Sequence, residues 1–221
     1  MIALKKFDVS CKLCPRLARH LQEQGKRFPS YFNQPVPAFG ANAGELLIVG
    51  LAPGLHGANR TGRPFTGDYA GILLYETLHE FGYGSHAGTA EATDSLLLRN
   101  CLITNAVKCL PPENKPELSE VKQCNSYLAA EIADYAPRAI LSLGLVAHSA
   151  ILRALARRPM EFPFGHGARH DVSPTTGMEK RSMYLFDSYH CSRYNTQTKR
   201  LTASMFKAVF SNIGSYLSEL R

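Results

Sequence analysis

No stretch of the 221-residue chain approaches the roughly 20 uninterrupted apolar residues that a membrane span requires, which argues against a helical membrane protein. The opening segment MIALKKFDVSCKLC lacks the apolar run and small-residue cleavage site of an export signal, so a cytoplasmic protein is expected. Neither G-x-x-x-x-G-K-[ST] nor G-x-G-x-x-G occurs, which argues against a nucleoside triphosphate site. There is no internal repeat and no low-complexity tract. Acidic residues are the scarcer sign, 18 against 25 Lys+Arg. The resulting formal charge of +7 favours a polyanionic partner, with nucleic acid the first to consider.

With 45% hydrophobic and 19% charged residues, the chain can bury a sizeable core and does not read as disordered. One domain spanning 1–221 is the expectation. Short, continuous apolar runs occur at Glu45–Leu51, Cys101–Val107, Ala139–Leu143 and Met183–Asp187. Apolarity without alternation suits strands buried on both faces, hence a parallel sheet in an α/β fold. Helical spacing links Leu74, Leu78 and Phe81, then Val121, Cys124, Leu128, Ile132 and Tyr135, then Leu201, Met205, Val209, Ile213 and Tyr216.

In such sheets ligands bind beyond the carboxyl ends of the strands, so the chemistry is expected in the loops 52–68, 108–120 and 188–195. The segment Pro159–Pro174, rich in Pro, Gly, His and Arg, reads as a surface hairpin or flap.

Six cysteines in a chain this apolar do not form a disulfide-dense module. Cys11 and Cys14 make a C-x2-C pair and Cys109 and Cys124 a C-x14-C pair; Cys101 and Cys191 stand alone. Four thiolates can hold zinc or an iron–sulfur cluster, and ordinary buried thiols are the plain alternative. The spacing alone does not choose, although the long second pair and Pro15 directly after the first tilt the reading toward a cluster. In the loop after the first run, Gly50, Gly54 and Gly57 permit close backbone approach, and Arg60, Arg63, Phe65 and Asp68 suit a base stacked on a ring with phosphates nearby. Asn105, at a strand end, offers a donor and an acceptor to the edge of a pyrimidine. His190 and Asn195 stand with Ser188, Ser192 and Arg193 after the last run.

Taken together, GLAPGLHGANRTGRPFTGD (50–68), ITNAVKC (103–109), the four paired cysteines and SYHCSRYN (188–195) resemble the uracil-DNA glycosylase superfamily, most closely its family 5, the type b enzymes with an iron–sulfur cluster. The resemblance runs through nearly the whole chain in order. It implies a three-layer α/β/α sandwich on a short, mainly parallel four-stranded sheet. It also implies a [4Fe-4S] cluster on Cys11, Cys14, Cys109 and Cys124, and monofunctional excision of uracil and other deaminated bases from double- or single-stranded DNA by a monomer.

By the same resemblance Asp68 and His190 are the catalytic pair, and Gly50, Ala52, Gly54, Phe65, Asn105 and Asn195 bind the substrate. Arg60, Arg63, Ser192 and Arg193 face DNA, and the cluster presents Lys115 and Lys122 toward phosphates. Two departures stand out. Leu51 and Ala52 occupy the positions where other families carry a water-activating acid, an absence that family 5 shares, with Asp68 matching the acid that substitutes. The commonly His-Pro-Ser motif reads His190-Cys191-Ser192, which frees a φ angle and predicts a less rigid loop.

A catalytically inert DNA-binding module with the same cluster is the alternative, and a zinc-stabilised nucleotide-binding enzyme on a doubly wound sheet is a second. The joint presence of Asp68, Asn105 and His190 favours catalysis over mere binding.

Overall fold

A computed structural model describes residues 7–88, 91–174 and 182–220. In chain order the elements are α1 (Pro15–Arg27), β1 (Phe39–Gly40), β2 (Leu46–Gly50), α2 (Ala58–Thr61), α3 (Tyr69–Glu80), β3 (Cys101–Asn105) and α4 (Leu118–Tyr135). They continue with β4 (Ala139–Leu143), α5 (Leu145–Ala154), β5 (Arg169–Asp171), β6 (Tyr184–Ser188), α6 (Arg193–Gln197) and α7 (Ala203–Glu219). None of the described helices is long and apolar enough to cross a membrane.

The α/β expectation holds, with one correction: the sheet has six strands, not four, in the order β1-β3-β2-β4-β6-β5. The inner four, β3, β2, β4 and β6, are parallel and correspond to the four apolar runs. Their side chains are almost all buried, β2 and β4 throughout, because helices cover both faces. The two added strands are short, antiparallel and at the edges. Phe39–Gly40 spans two residues, and Arg169–Asp171 alternates exposed and half-buried side chains, so neither presents an apolar run. Backbone pairing alone makes them strands, and short polar edges of this kind discourage further pairing.

Two apolar layers flank the sheet. One joins α3 and α7 to it through Leu74, Leu78, Phe206, Phe210 and Ile213; the other joins α1, α4 and α5 through Leu17, Leu128, Ile151 and Leu152. The periodic residues match these helices except at their ends: Leu201 precedes α7, and Phe81 follows α3. Of the segment 159–174 only β5 is a strand, and it pairs with β6 outside the segment, so 159–174 is not a hairpin within itself. The chain runs from β2 outward to β3, then returns to the other side of β2 for β4. The strand order therefore reverses at β2, and a crevice opens there beyond the carboxyl ends.

Candidate active site

A cavity of about 720 Å³ occupies that crevice, with walls supplied by the loops after β2, β3, β4 and β6. Ala52, Gly54, Phe65, Asp68, Asn105, His190, Ser192, Arg193 and Asn195 all line it. Gly50 and Asn105 are register partners at the ends of β2 and β3. A Cβ on Gly50 would run into Asn105 Oδ1 and come within 2.6 Å of the Phe65 ring, so glycine is what lets these two side chains meet over the strand end. Asn105 is 4% exposed, and its amide makes no hydrogen bond among the described residues.

Phe65 takes a left-handed backbone conformation, φ +60°, a costly choice for an aromatic residue that persists only where its surroundings enforce it. Its ring lies 6.0 Å from the His190 ring at 28°, a stacked pair.

Asp68 precedes α3, yet its side chain does not cap that helix. It turns instead into the glycine-rich loop, where any Cβ on Gly57 would overlap the carboxylate. Burial pushes the Asp68 carboxyl above the usual range. Backbone N–H groups of Ala58 and Gly54 and the nearby charges of His56 and Arg60 oppose that push and favour the anion. His190 is different. Burial lowers its pKa to about 4, so the ring is neutral at ordinary pH, and its Nδ1 is buried without a protein partner. The backbone around it is stapled by Asn195, whose Nδ2 donates to the His190 carbonyl at 2.8 Å. Asn195 therefore reaches the cavity with that N–H already spent.

Cys191, at the proline position, is fully buried in the core beside α7, and burial pushes its thiol up to about 12. An apolar side chain packed in the core stands where the motif commonly carries a proline ring.

The arginines divide. Arg193 is exposed at the rim, 5.9 Å over the Tyr69 ring. Arg60 bonds Glu91 through both carboxylate oxygens at 2.8 Å. Arg63, expected to meet phosphates, is instead buried: it is 5% exposed, donates to Thr66 Oγ1 at 2.6 Å, and pairs with Asp94. A charge in a basic loop gives no sign of an acid 31 residues on, and this one braces the loop from within. Lys115 and Lys122 are exposed, the former 3.8 Å from Glu113. Sequence reasoning missed His56, Tyr69, Phe164, Tyr189 and Arg200, which also line the cavity. His56, inside the glycine-rich motif, and Tyr189, inside SYHCSRYN, carried a local signal; His56 Nδ1 contacts the Tyr31 hydroxyl at 2.9 Å.

On the other side of the sheet Cys11, Cys14, Cys109 and Cys124 surround one small gap among the start of α1, the turn after β3 and the face of α4. Cys14 is the N-cap of α1, with Pro15 at the first helical position, but its side chain caps nothing. The ends are tied by Arg16, which bonds Glu120 of α4 at 2.7 Å. Burial first, and repulsion from neighbouring thiolates second, raise Cys14 to about 11 and push Cys109 up further. The Lys108 N–H donates to Cys124 Sγ at 3.4 Å.

A model of the uracil DNA glycosylase superfamily matches residues 37–214. The chain belongs to this superfamily. It is 41% identical to a type-5 uracil-DNA glycosylase of Thermus thermophilus, covering 90% of each chain. It is 36% identical to a type-5 uracil-DNA glycosylase of Pyrobaculum aerophilum, over 91% of this chain and 86% of the relative. A type-5 uracil-DNA glycosylase of Mycobacterium leprae is 38% identical over 90% and 88%. The residues matched by the superfamily model include every cavity residue named above and exclude Cys11 and Cys14.

Proposed function

We propose that this protein hydrolyses the N-glycosidic bond of uracil in DNA, releasing the base and leaving an abasic site. The observation that carries the reading is the meeting of Phe65, Asp68, Asn105 and His190 in one cavity, in a chain of this superfamily. A module that only bound DNA would not need them together.

Breaking the bond places positive charge on the sugar and negative charge on the departing base, so electrostatic stabilisation at both ends is what accelerates it. Phe65 stacks on the extruded base, and the unpaired Asn105 amide meets its hydrogen-bonding edge. His190, held neutral by burial, donates to the base oxygen that gains charge. A neutral donor suits this role, because it sits in the empty pocket without the cost of a buried cation. Asp68 faces the sugar, where its carboxylate favours the cation and orients the attacking water; the Ala58 and Gly54 N–H groups and the charges of His56 and Arg60 support that anion against the opposing push of burial. No side chain need form a covalent bond.

Stabilisation of the departing base does not depend on one ring, which extends the reading to other deaminated bases such as hypoxanthine and xanthine. Arg193 and Ser192 at the rim, with the net charge of +7, suit the phosphate backbone.

Cys11, Cys14, Cys109 and Cys124 fit a [4Fe-4S] cluster by their donor chemistry: four clustered thiols whose charges repel until a polycation neutralises them. The long C-x14-C second pair and Pro15 directly after the first pair favour a cluster over a single zinc ion. When bound, the cluster supplies a structural cross-link between the start of α1 and the 109–124 excursion.

The test is incubation of purified protein with a uracil-containing duplex, followed by alkali. Strand cleavage at the uracil position is expected, and an intact strand would refute the reading.

A further inference from the structure

A polar cluster that this chemistry does not use lies beneath residues 162–170. Asp187, in β6, is fully buried. Its Oδ1 accepts from Ser142 Oγ of β4 at 2.6 Å and lies 2.8 Å from His148 Nδ1 of α5, and its Oδ2 lies 3.3 Å from His170 Nε2 of β5. His148 Nε2 lies 2.9 Å from the Phe162 carbonyl, which can only accept, so that nitrogen carries a hydrogen. His148 thus joins a backbone carbonyl to a carboxylate. Fully satisfied buried networks rigidify what they touch.

What this one touches is the strap 162–170, clamped at Phe162 by His148, at Gly167 by its N–H to the Asp187 carbonyl at 2.8 Å, and at His170 by the Asp187 side chain. Between the clamps sits Phe164. Its ring packs edge-on against His148 at 5.5 Å and tilted by 54° against Tyr189 at 6.2 Å, and it lines the cavity that holds His190.

We infer that Phe164 is a specificity-determining residue that limits the size of the base the cavity accepts, and that His148, Asp187 and His170 are positioning residues that latch it there. The inference rests on the reading that the cavity takes an extruded base. An aromatic wall fixed at both ends by hydrogen bonds yields less readily to a larger ring than a wall carried on a plain surface loop, so purines are slowed and not excluded.

Single-turnover excision from duplexes containing uracil, a pyrimidine, or hypoxanthine, a purine, tests it. Phe164→Ala should lower the uracil-to-hypoxanthine rate ratio roughly tenfold, the scale on which a pocket discriminates by shape. Phe164→Tyr should restore the ratio. His148→Gln and His170→Gln should move it in the same direction, whereas Val209→Ala in α7 should slow both bases alike. Because the chain contains no tryptophan, Phe164→Trp supplies a single reporter of the strap. A product-like abasic duplex should protect that tryptophan from acrylamide, and adding His148→Gln should expose it.

An unchanged rate ratio in Phe164→Ala overturns the size limit. Unchanged quenching on adding His148→Gln overturns the latch. A wild-type protein that cleaves neither duplex removes the glycosylase reading and the size limit with it, and the quenching measurement still decides the latch.

Discussion

His190 should make the native protein sensitive to acid, and replacing it by Phe should remove that sensitivity. The ring is buried against Phe65 with no charge partner, which lowers its pKa from 6.5 to about 4. The unfolded chain takes up this proton near pH 6.5 and the folded one only near 4, so the unfolded state binds more protons between them. Stability from this residue is complete above about 6.5 and is lost as the pH falls toward 4. A shift of this size is worth about 3 kcal/mol in full, and roughly 2 kcal/mol between about pH 7.5 and pH 5. His190→Phe keeps a ring in the stack and removes the titration. Denaturant unfolding of both proteins at the two pH values gives the difference: the wild type should lose roughly 2 kcal/mol more than the variant. Parallel losses would mean that His190 is solvated or already charged in the native state. The neutral donor assigned to the departing base would then not exist.

Asp68→Asn keeps size and hydrogen bonding but removes the charge facing the sugar. Its single-turnover rate on a uracil duplex should fall by roughly 10²–10³, with affinity for an abasic duplex little changed. Cys109→Ser should abolish broad visible absorption near about 400 nm and reduce soluble yield, since metal binding is coupled to folding; Cys101→Ser, buried in β3 away from the other thiols, should leave the spectrum intact. Arg63→Ala removes the buried guanidinium that pairs with Asp94 and donates to Thr66 Oγ1, and should cost about 3 kcal/mol in denaturant unfolding. The salt dependence of its binding to undamaged duplex should match the wild type; a shallower slope would return Arg63 to the phosphate contacts.

The parts of the fold that were legible in the sequence are those where burial dictates composition. β2, β3, β4 and β6 are buried on both faces and wrote themselves as apolar runs, displaced by a residue or two at their ends. β1 and β5 exist through backbone pairing at sheet edges, which leaves almost no mark on side chains. α5 begins two residues after β4, and its apolar start Leu145-Val146-Ala147 blurs into the strand's own run. In the cavity, Asp68, Asn105 and His190 were legible because each lies in a motif that follows or ends a buried strand. Arg63 was misjudged because its partner Asp94 is remote in sequence. Phe164 stayed hidden because the polar cluster that fixes it draws on α5, β5 and β6 at once.

The brace formed by Arg63 also bears on how quickly the protein can act. Its guanidinium holds Thr66, the Glu91 carbonyl and Asp94, while Phe39 and Tyr75 pack against its plane, so the glycine-rich loop is assembled before any substrate arrives. The conformational entropy of ordering that loop is therefore charged to folding and not to binding. A search along undamaged DNA then needs no loop closure at each step, and the slow event in recognition is left to the nucleic acid, the unstacking of a base from its own helix.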